Sequence, residues 1–122
     1  MIEIGINSQI LKQILDGKKT VEGRLAKDKF LAIRPGDVVS IREDIYDDGV
    51  IVESRVSATK LLVTKIATYN SFSDMLGGVG FKSAIPSAAS LEDACLEYAR
   101  YYSAEDEKNY GVLAIYFKLL SS

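Results

Sequence analysis

The sequence predicts an α+β fold in which a small, mixed or antiparallel β-barrel is flanked by helices. Three consecutive strand-like runs occupy residues 37–43, 49–60 and 61–69, and they are rich in β-branched residues. A long apolar β run follows at residues 110–120. Helix-like segments are inserted between strands that lie towards both ends of the chain. This arrangement indicates a sheet closed into a barrel, with helices packed outside it.

Composition favours a single domain over residues 1–122 and excludes several classes of site. The chain is 48% hydrophobic and has two prolines, which suffices for one core. It carries 15 basic and 17 acidic residues, without the basic excess of a protein that wraps along a duplex. There is no histidine, and Cys95 is the only cysteine. A zinc finger, a Cys–His dyad and a Ser–His–Asp triad are therefore excluded, and we expect no metal and no cofactor.

The same features predict a cytoplasmic protein. The opening residues lack the cationic and apolar regions of a signal peptide, and no apolar run approaches the roughly 20 residues that cross a bilayer. We therefore expect no membrane partner. A single cysteine allows no disulfide framework, as is usual in a reducing compartment. Cys95 itself is interpreted as a small buried hydrophobe of a helix.

The first predicted element is a short helix that begins at Asn7 or Ser8 as N-cap and ends at Asp16. Gly17 follows as a residue able to adopt a left-handed conformation. Four apolar residues recur at the spacing of one helical face: Ile10, Leu11, Ile14 and Leu15. This helix leads directly into a charged segment.

The charged segment, residues 18–24, is predicted to be extended because it contains two β-branched residues. Extended geometry places its side chains in two sets, with Thr20, Glu22 and Arg24 on one face and Lys19 and Val21 on the other. A bulge at Gly23 would break this alternation.

The middle of the chain is predicted to form an antiparallel meander. A short helical turn over residues 26–33 ends at Pro35–Gly36–Asp37, which is typical turn chemistry. The strand at 37–43 follows, and Asp47–Asp48–Gly49 forms the turn to the next strand. With the run at 61–69, we expect three consecutive antiparallel strands.

Two helices are predicted before the last strand. Residues 71–80 indicate a short capped helix that runs into glycines, and residues 90–102 give the clearest helix, with Ser90 as N-cap. Residues 103–109 either continue this helix or open a second turn. The apolar run at 110–120 is expected to lie centrally in the sheet because of its length and its apolarity.

Three motifs together resemble a known family. The octet G-x-K-x-x-E-x-R is carried by Gly17, Lys19, Glu22 and Arg24. It is followed by the RPGD turn at 34–37 and by the closing segment YYSAEDEKNYGVLAIYFKL. In this order the motifs are similar to small stand-alone members of the ASCH domain family, a branch of the PUA-like superfamily. The resemblance implies a PUA-like β-barrel with helices over its openings, and a cleft beside the octet that receives RNA or a nucleotide-like ligand.

The residues of the octet suit such a ligand. Arg24 offers a planar fork of donors to a phosphate or a base edge, and Lys19 offers a compact charge. Glu22 can accept hydrogen bonds from an amine or a ribose hydroxyl, or hold its cationic neighbours in place. The candidate binding residues are Lys19, Thr20, Glu22, Arg24, Tyr101 and Tyr102. The alternative is a charged β edge whose surface ion pairs contribute little.

Aromatic side chains near the end of the clearest helix supply the stacking that single-stranded RNA requires. Tyr98 and Tyr102 lie four positions apart on one helical face and are interpreted as structural. Tyr101 is therefore the more exposed candidate, and a Tyr102 side chain that faces the cleft is a second one.

We predict a module that binds RNA or a modified nucleoside, and two alternatives stay open. Some members of the resembled family deacetylate N4-acetylcytidine, and they share the Gly17, Lys19 and Thr20 positions. They carry a hydroxyl residue where this chain has Glu22, together with a downstream glutamate that has no match here. The first alternative is thus a metal-independent hydrolase of acylated cytidine or RNA, with Lys19 and Glu22 as catalytic pair. The second is a protein-interaction scaffold that uses the barrel edge.

Overall fold

The computed structural model describes residues 1–121 and shows a mixed α+β fold built on one five-stranded sheet. The α+β class predicted from the sequence is confirmed. In chain order the elements are β1 Ile2–Asn7, α1 Ser8–Leu15, β2 Val21–Leu25, a 3-10 turn Asp28–Ala32, β3 Val38–Asp47, β4 Val50–Tyr69, α2 Phe72–Val79, α3 Phe81–Ala84, α4 Leu91–Ala99, α5 Ala104–Tyr110 and β5 Val112–Ser121.

The sheet is open, so the barrel closure expected from the sequence is not confirmed. The strand order is β1-β3-β4-β5-β2, with β1 parallel to β3 and every other pairing antiparallel. Among residues 1–121, β1 and β2 form the two edges, and no backbone pairing joins them. One side chain spans the gap instead, because Arg24 of β2 donates a hydrogen bond to the carbonyl oxygen of Gly5 in β1.

The predicted meander of three strands is wrong, since residues 50–69 form the single strand β4. Its first half pairs with β3, from Val50 opposite Asp47 onwards. From Lys60 to Tyr69 it pairs with β5 on its other side. Residues 50–69 contain no glycine or proline to make a turn, so the strand continues through register shifts against β3, at Val52 and at residues 57–59, and against β5, near Lys60 and Val63.

β5 lies inside the sheet, as its length and apolarity predict, between β4 and β2. Its alternating side chains serve two cores, because successive residues of a strand point to opposite faces. Leu113, Ile115 and Phe117 join the core beneath α1, and Val112 and Ala114 join the core beneath α2 and α4. The sheet is therefore covered by α1 on one face and by α2 and α4 on the other.

The helix caps agree closely with the sequence. Asn7 accepts a hydrogen bond from the Ile10 N–H at 2.8 Å, and Gly17 follows α1 with a φ of 77°. Ser90 caps α4 in the same way, accepting from the Asp93 N–H. Of the two interpretations of residues 103–109, the second is correct, because Ser103 opens the separate helix α5. No helix within residues 1–121 is long and apolar enough to cross a membrane.

Replacement of Gly23 by alanine tests how tightly β2 packs against the helical layer. A Cβ at Gly23 would lie 2.8 Å from the Tyr98 hydroxyl oxygen and 2.9 Å from the Met75 sulfur. We expect Gly23→Ala to lower the free energy of unfolding by about 1–3 kcal/mol, because buried neighbours must move. The matched control is Gly77→Ala in α2, where a Cβ meets nothing within 4 Å. It should raise stability by about 0.5–1 kcal/mol, and urea denaturation measures both; equal effects of the two changes would contradict this packing.

Candidate functional site

A cleft of about 1330 Å³ opens where the sheet fails to close. It is lined by the end of β1 and the start of α1 on one side, and by β2 on the other. The tip of the β3–β4 hairpin, the segment 84–88 and the end of α4 complete its walls. Ligand pockets are commonly about 300–1,000 Å³, so the cleft is large enough for a nucleoside with room to spare.

Lys19 lies at the base of the cleft with a side chain that is only 3% exposed. Its ammonium donates hydrogen bonds to the backbone oxygens of Val21, at 2.9 Å, and of Ala84, and it lies 3.3 Å from Glu22 Oε1. These three acceptors match the three donors of an ammonium group. Burial lowers the pKa of Lys19, and the Glu22 carboxylate opposes that shift. Lys19 is thus fully engaged within the protein.

Glu22 lies in β2 between two cations. Its Oε1 accepts from the Gly23 N–H at 3.2 Å and faces Lys19, while its Oε2 lies 3.2 Å from Arg24 Nη2. Burial opposes ionisation of Glu22, but the charges of Lys19 and Arg24 outweigh it and hold its pKa below the usual value. Glu22 is therefore a buried carboxylate at neutral pH, with both oxygens occupied.

Arg24 bridges the site to β1. Its Nη2 donates to Gly5 O at 3.0 Å and to Glu22 Oε2, and its guanidinium lies 5.0 Å from the ring centroid of Phe30. Burial disfavours its charge, but the Glu22 carboxylate more than compensates and raises the pKa of Arg24. Its Nε and Nη1 have no hydrogen-bond partner among residues 1–121, and neither atom is sealed from solvent. These two groups point in different directions, and each can donate singly to a ligand acceptor in the cleft.

Lys19 and Glu22 converge although the sequence predicts them on opposite faces of a strand. The alternation fails because β2 begins only at Val21. The N–H groups of Lys18 and Lys19 instead donate to Gln13 O and prolong the end of α1. The Lys19 side chain consequently does not follow the alternation of a strand, and its ammonium lies beside the Glu22 carboxylate.

Thr20 lies apart from the other candidates. Its side chain is exposed and is not among those that line the cleft. Its backbone is engaged on both sides, because its N–H donates to Ser83 O and its carbonyl accepts from the Phe117 N–H. These two backbone hydrogen bonds therefore hold the chain in position at Thr20, immediately before β2 begins.

The tyrosines at the end of α4 differ in their surroundings. Tyr98 is buried and stacks on Phe72 with ring centroids 4.4 Å apart. Tyr102 is half-buried and stacks on the same ring at 4.7 Å, and burial raises the pKa of its phenol. Tyr101 is 63% exposed and has Arg100 over its ring. All three tyrosines line the cleft, and Tyr101 offers it an open aromatic face.

Several parts of the cleft could not be identified from the sequence. The carbonyl groups of Gly5 and Ala84 hold the two cations, and backbone acceptors cannot be recognised from residue type. Ile45 and Tyr46 form a wall from the β3–β4 hairpin. Tyr46 is an aromatic residue beside a turn, and this position is visible in the sequence. It lies far from the octet along the chain, so the sequence does not show that both line one cleft.

Comparisons with known proteins agree with this architecture. A model of the ASCH domain matches residues 4–121, and the chain belongs to the ASCH domain family. No curated protein matches it. The crystal structure of hypothetical protein PH0355 is similar at 32% identity and a TM-score of 0.80, with 97% of each chain covered. The solution NMR structure of protein PF0455 from Pyrococcus furiosus is similar at 36% identity and a TM-score of 0.76, covering 99% of this chain and 98% of that one.

The shared carboxylate makes a pH-dependent contribution to stability. The pKa of Glu22 is lowered in the folded state, so its contribution is present above the ordinary value of 4.5 and is lost as the pH falls through the folded value. At pH 7, Glu22→Gln leaves two buried cations without their counter-ion and should lower the free energy of unfolding by about 3–5 kcal/mol. The difference from the parent should shrink as the pH falls below 4.5.

Urea titrations of both proteins between pH 7 and pH 3 measure this difference. Glu97→Gln is the matched control, because Glu97 also lines the cleft but forms only an exposed ion pair with Arg100. It should change stability by less than about 1 kcal/mol. A Glu22→Gln effect that is small, or that does not depend on pH, would show that Glu22 is not an ionised counter-ion.

Proposed function

We propose that the cleft binds a nucleotide unit of single-stranded RNA or a modified nucleoside. The observation that carries the proposal concerns Arg24, whose guanidinium is held at the wall of a cleft large enough for a heterocycle and whose Nε and Nη1 have no partner among the described residues. Donors of a charged group that are held in fixed positions suit a phosphate oxygen or an acceptor atom of a base. Membership of the ASCH domain family, which is often associated with RNA binding, supports the same class of ligand.

The proposal assigns different roles to the three charged residues. Arg24 contacts the ligand, whereas Lys19 and Glu22 are positioning residues, because their polar atoms are already paired within the protein. Together the three groups carry one net positive charge, held in a partly dry site where it interacts strongly with an anion. That charge fits one phosphate or one electronegative base edge. A single positive charge does not suit a protein that binds many phosphates along a nucleic acid. The net charge of −2 of the chain is also unfavourable for that mode of binding.

Aromatic stacking supplies the second contact. Tyr101 presents an exposed ring at the cleft, and the half-buried Tyr102, which stacks on Phe72, also lines it. Base–aromatic stacking holds single-stranded nucleic acids without reading every base, so a base stacked on a tyrosine and an acceptor bound to Arg24 together define one nucleotide. Thr20 is assigned no ligand contact, because it does not line the cleft.

Tyrosine replacements test the proposal without disturbing the core. We expect Tyr101→Ala to weaken binding of a fluorescent mixed-sequence single-stranded RNA about tenfold to a hundredfold, the typical contribution of one stacked base. Tyr110→Ala is the matched control, since Tyr110 is also exposed but lies outside the cleft. Arg24→Lys keeps the charge but loses the Nε and Nη1 donors in their fixed positions, so it should weaken binding by at least about tenfold. Fluorescence anisotropy gives the affinities, and cytidine and N4-acetylcytidine serve as competitors. Equal affinities for Tyr101→Ala and Tyr110→Ala, or no binding by the parent, would refute the proposal.

The hydrolase alternative is favoured by one observation, a buried lysine of lowered pKa beside a carboxylate in a cleft. The geometry opposes it, because Lys19 has no free donor and Glu22 is held ionised by two cations. We expect the purified protein to release no acetate from N4-acetylcytidine and no fragments from labelled RNA. Chromatography of the products tests this expectation. Turnover that is lost in Lys19→Met and retained in Tyr110→Ala would establish the hydrolase instead.

Two further assignments accompany the proposal. We place the protein in the cytoplasm, because its one cysteine is half-buried and forms no disulfide. We also propose that residues 1–122 act as a single domain, because β5 joins both cores of the structure. The alternative of a protein-interaction scaffold stays a prediction, in which an edge of the sheet binds the partner.

A further inference from the structure

The first half of β4 is an open sheet edge that follows the hairpin tip of the cleft but does not itself line the cleft. Residues 50–51 and 53–56 pair with β3 on one side, but within the described residues β5 joins the other side only at Lys60. None of residues 50–59 lines the cleft. An edge of this kind presents a row of unpaired N–H and C=O groups to any strand that can pair with it.

Two common protections are missing from this edge, although register shifts against β3 at Val52 and at residues 57–59 interrupt its ladder. Residues 50–59 contain no proline and no lysine, which are common protections of exposed strands. Val52 is 61% exposed and Val56 is 83% exposed, so apolar side chains project where no part of the described chain covers them. The strand is therefore both open and apolar.

The order of residues along the edge is self-complementary about Ser54. When two antiparallel copies of the segment are centred on this residue, Glu53 of each copy faces Arg55 of the other. Val52 of each copy then faces Val56 of the other, and the two Ser54 residues face one another. We propose that two copies of this chain associate by antiparallel pairing of β4 centred on Ser54, which joins their sheets across a two-fold axis. Such an interface uses the same patch on both copies.

The charges also oppose the neighbouring registers. Pairing centred on Glu53 would place two glutamates opposite each other, and pairing centred on Arg55 would place two arginines opposite each other. Directly opposed like charges destabilise a strand pair, whereas opposite charges and β-branched pairs stabilise it. Ser54 is thus the centre that satisfies both the charged and the apolar positions.

The geometry of one copy is compatible with this pairing. Arg55 holds Glu53 through two hydrogen bonds of 3.0 and 3.2 Å, so both side chains already lie on one face. Both are more than half exposed, and they can extend this pair into a four-residue cluster with the second copy. On the opposite face Ser54 donates to Asp44, which ties the centre of the edge to β3. The segment is therefore ordered before it meets its partner.

Charge reversal provides the decisive experiment. Light scattering after size exclusion should show the parent approaching twice 13.4 kDa as its concentration rises. Arg55→Glu alone and Glu53→Arg alone each place like charges across the axis, so both variants should remain monomeric. An equimolar mixture of the two variants should form a heterodimer, because the two carboxylates of one chain then face the two guanidinium groups of the other. Their circular dichroism should match the parent, since both sites are exposed.

Cross-linking tests the register. In a Cys95→Ser background, Ser54→Cys should form an intermolecular disulfide under mild oxidation, because residues opposed across an antiparallel pair lie within disulfide range. Val56→Cys is the matched control and should not cross-link, because its counterpart lies four residues away along the second copy. A parent that stays monomeric at about 200 μM, single reversals that still dimerise, a mixture that fails to associate, or cross-linking through position 56 would each overturn the proposal. RNA binding by the cleft is measured separately, so neither proposal depends on the other.

Discussion

The Glu22 carboxylate is the interaction on which the architecture of the cleft depends. It lies in an edge strand, nearly excluded from solvent, and it neutralises one of two cations that would otherwise be unfavourable there. Lys19 fastens this carboxylate to the segment after α1 and to the end of α3. Arg24 fastens it to β1. Through one side chain, four separate parts of the chain are held around the same opening.

The open sheet and the cleft are two aspects of the same arrangement. Where β1 and β2 are not paired, a side-chain bridge replaces the missing ladder. A bridge made by one guanidinium uses only part of its donors, whereas a continuous ladder would use every backbone group it joined. The incomplete closure of the sheet thus leaves both the space and the hydrogen-bonding capacity that a ligand site requires.

Much of the fold was predictable because it depends on local signals. Caps at Asn7 and Ser90, and the apolar run that became β5, are read from adjacent residues. The convergence of Lys19 with Glu22 was not predictable from alternation, because α1 extends its backbone hydrogen bonds past Gly17 and delays the start of β2. The length of β4 was missed for a different reason, since its change of partner near Lys60 leaves no mark in residue type. Barrel closure, similarly, is decided by the relative positions of edges that are distant in the chain.

The pairing of β2 with β5 has a consequence for how the protein is made. Val21 lies opposite Tyr116, so the strand that carries the charged cluster finds its only neighbouring strand near the other end of the described chain. During synthesis the amino-terminal segments emerge first, and contacts between distant segments form slowly because a large loop must close. α1 and the β3–β4 hairpin can form early from nearby residues. The cleft, by contrast, is assembled last, when the final strand arrives beside β2.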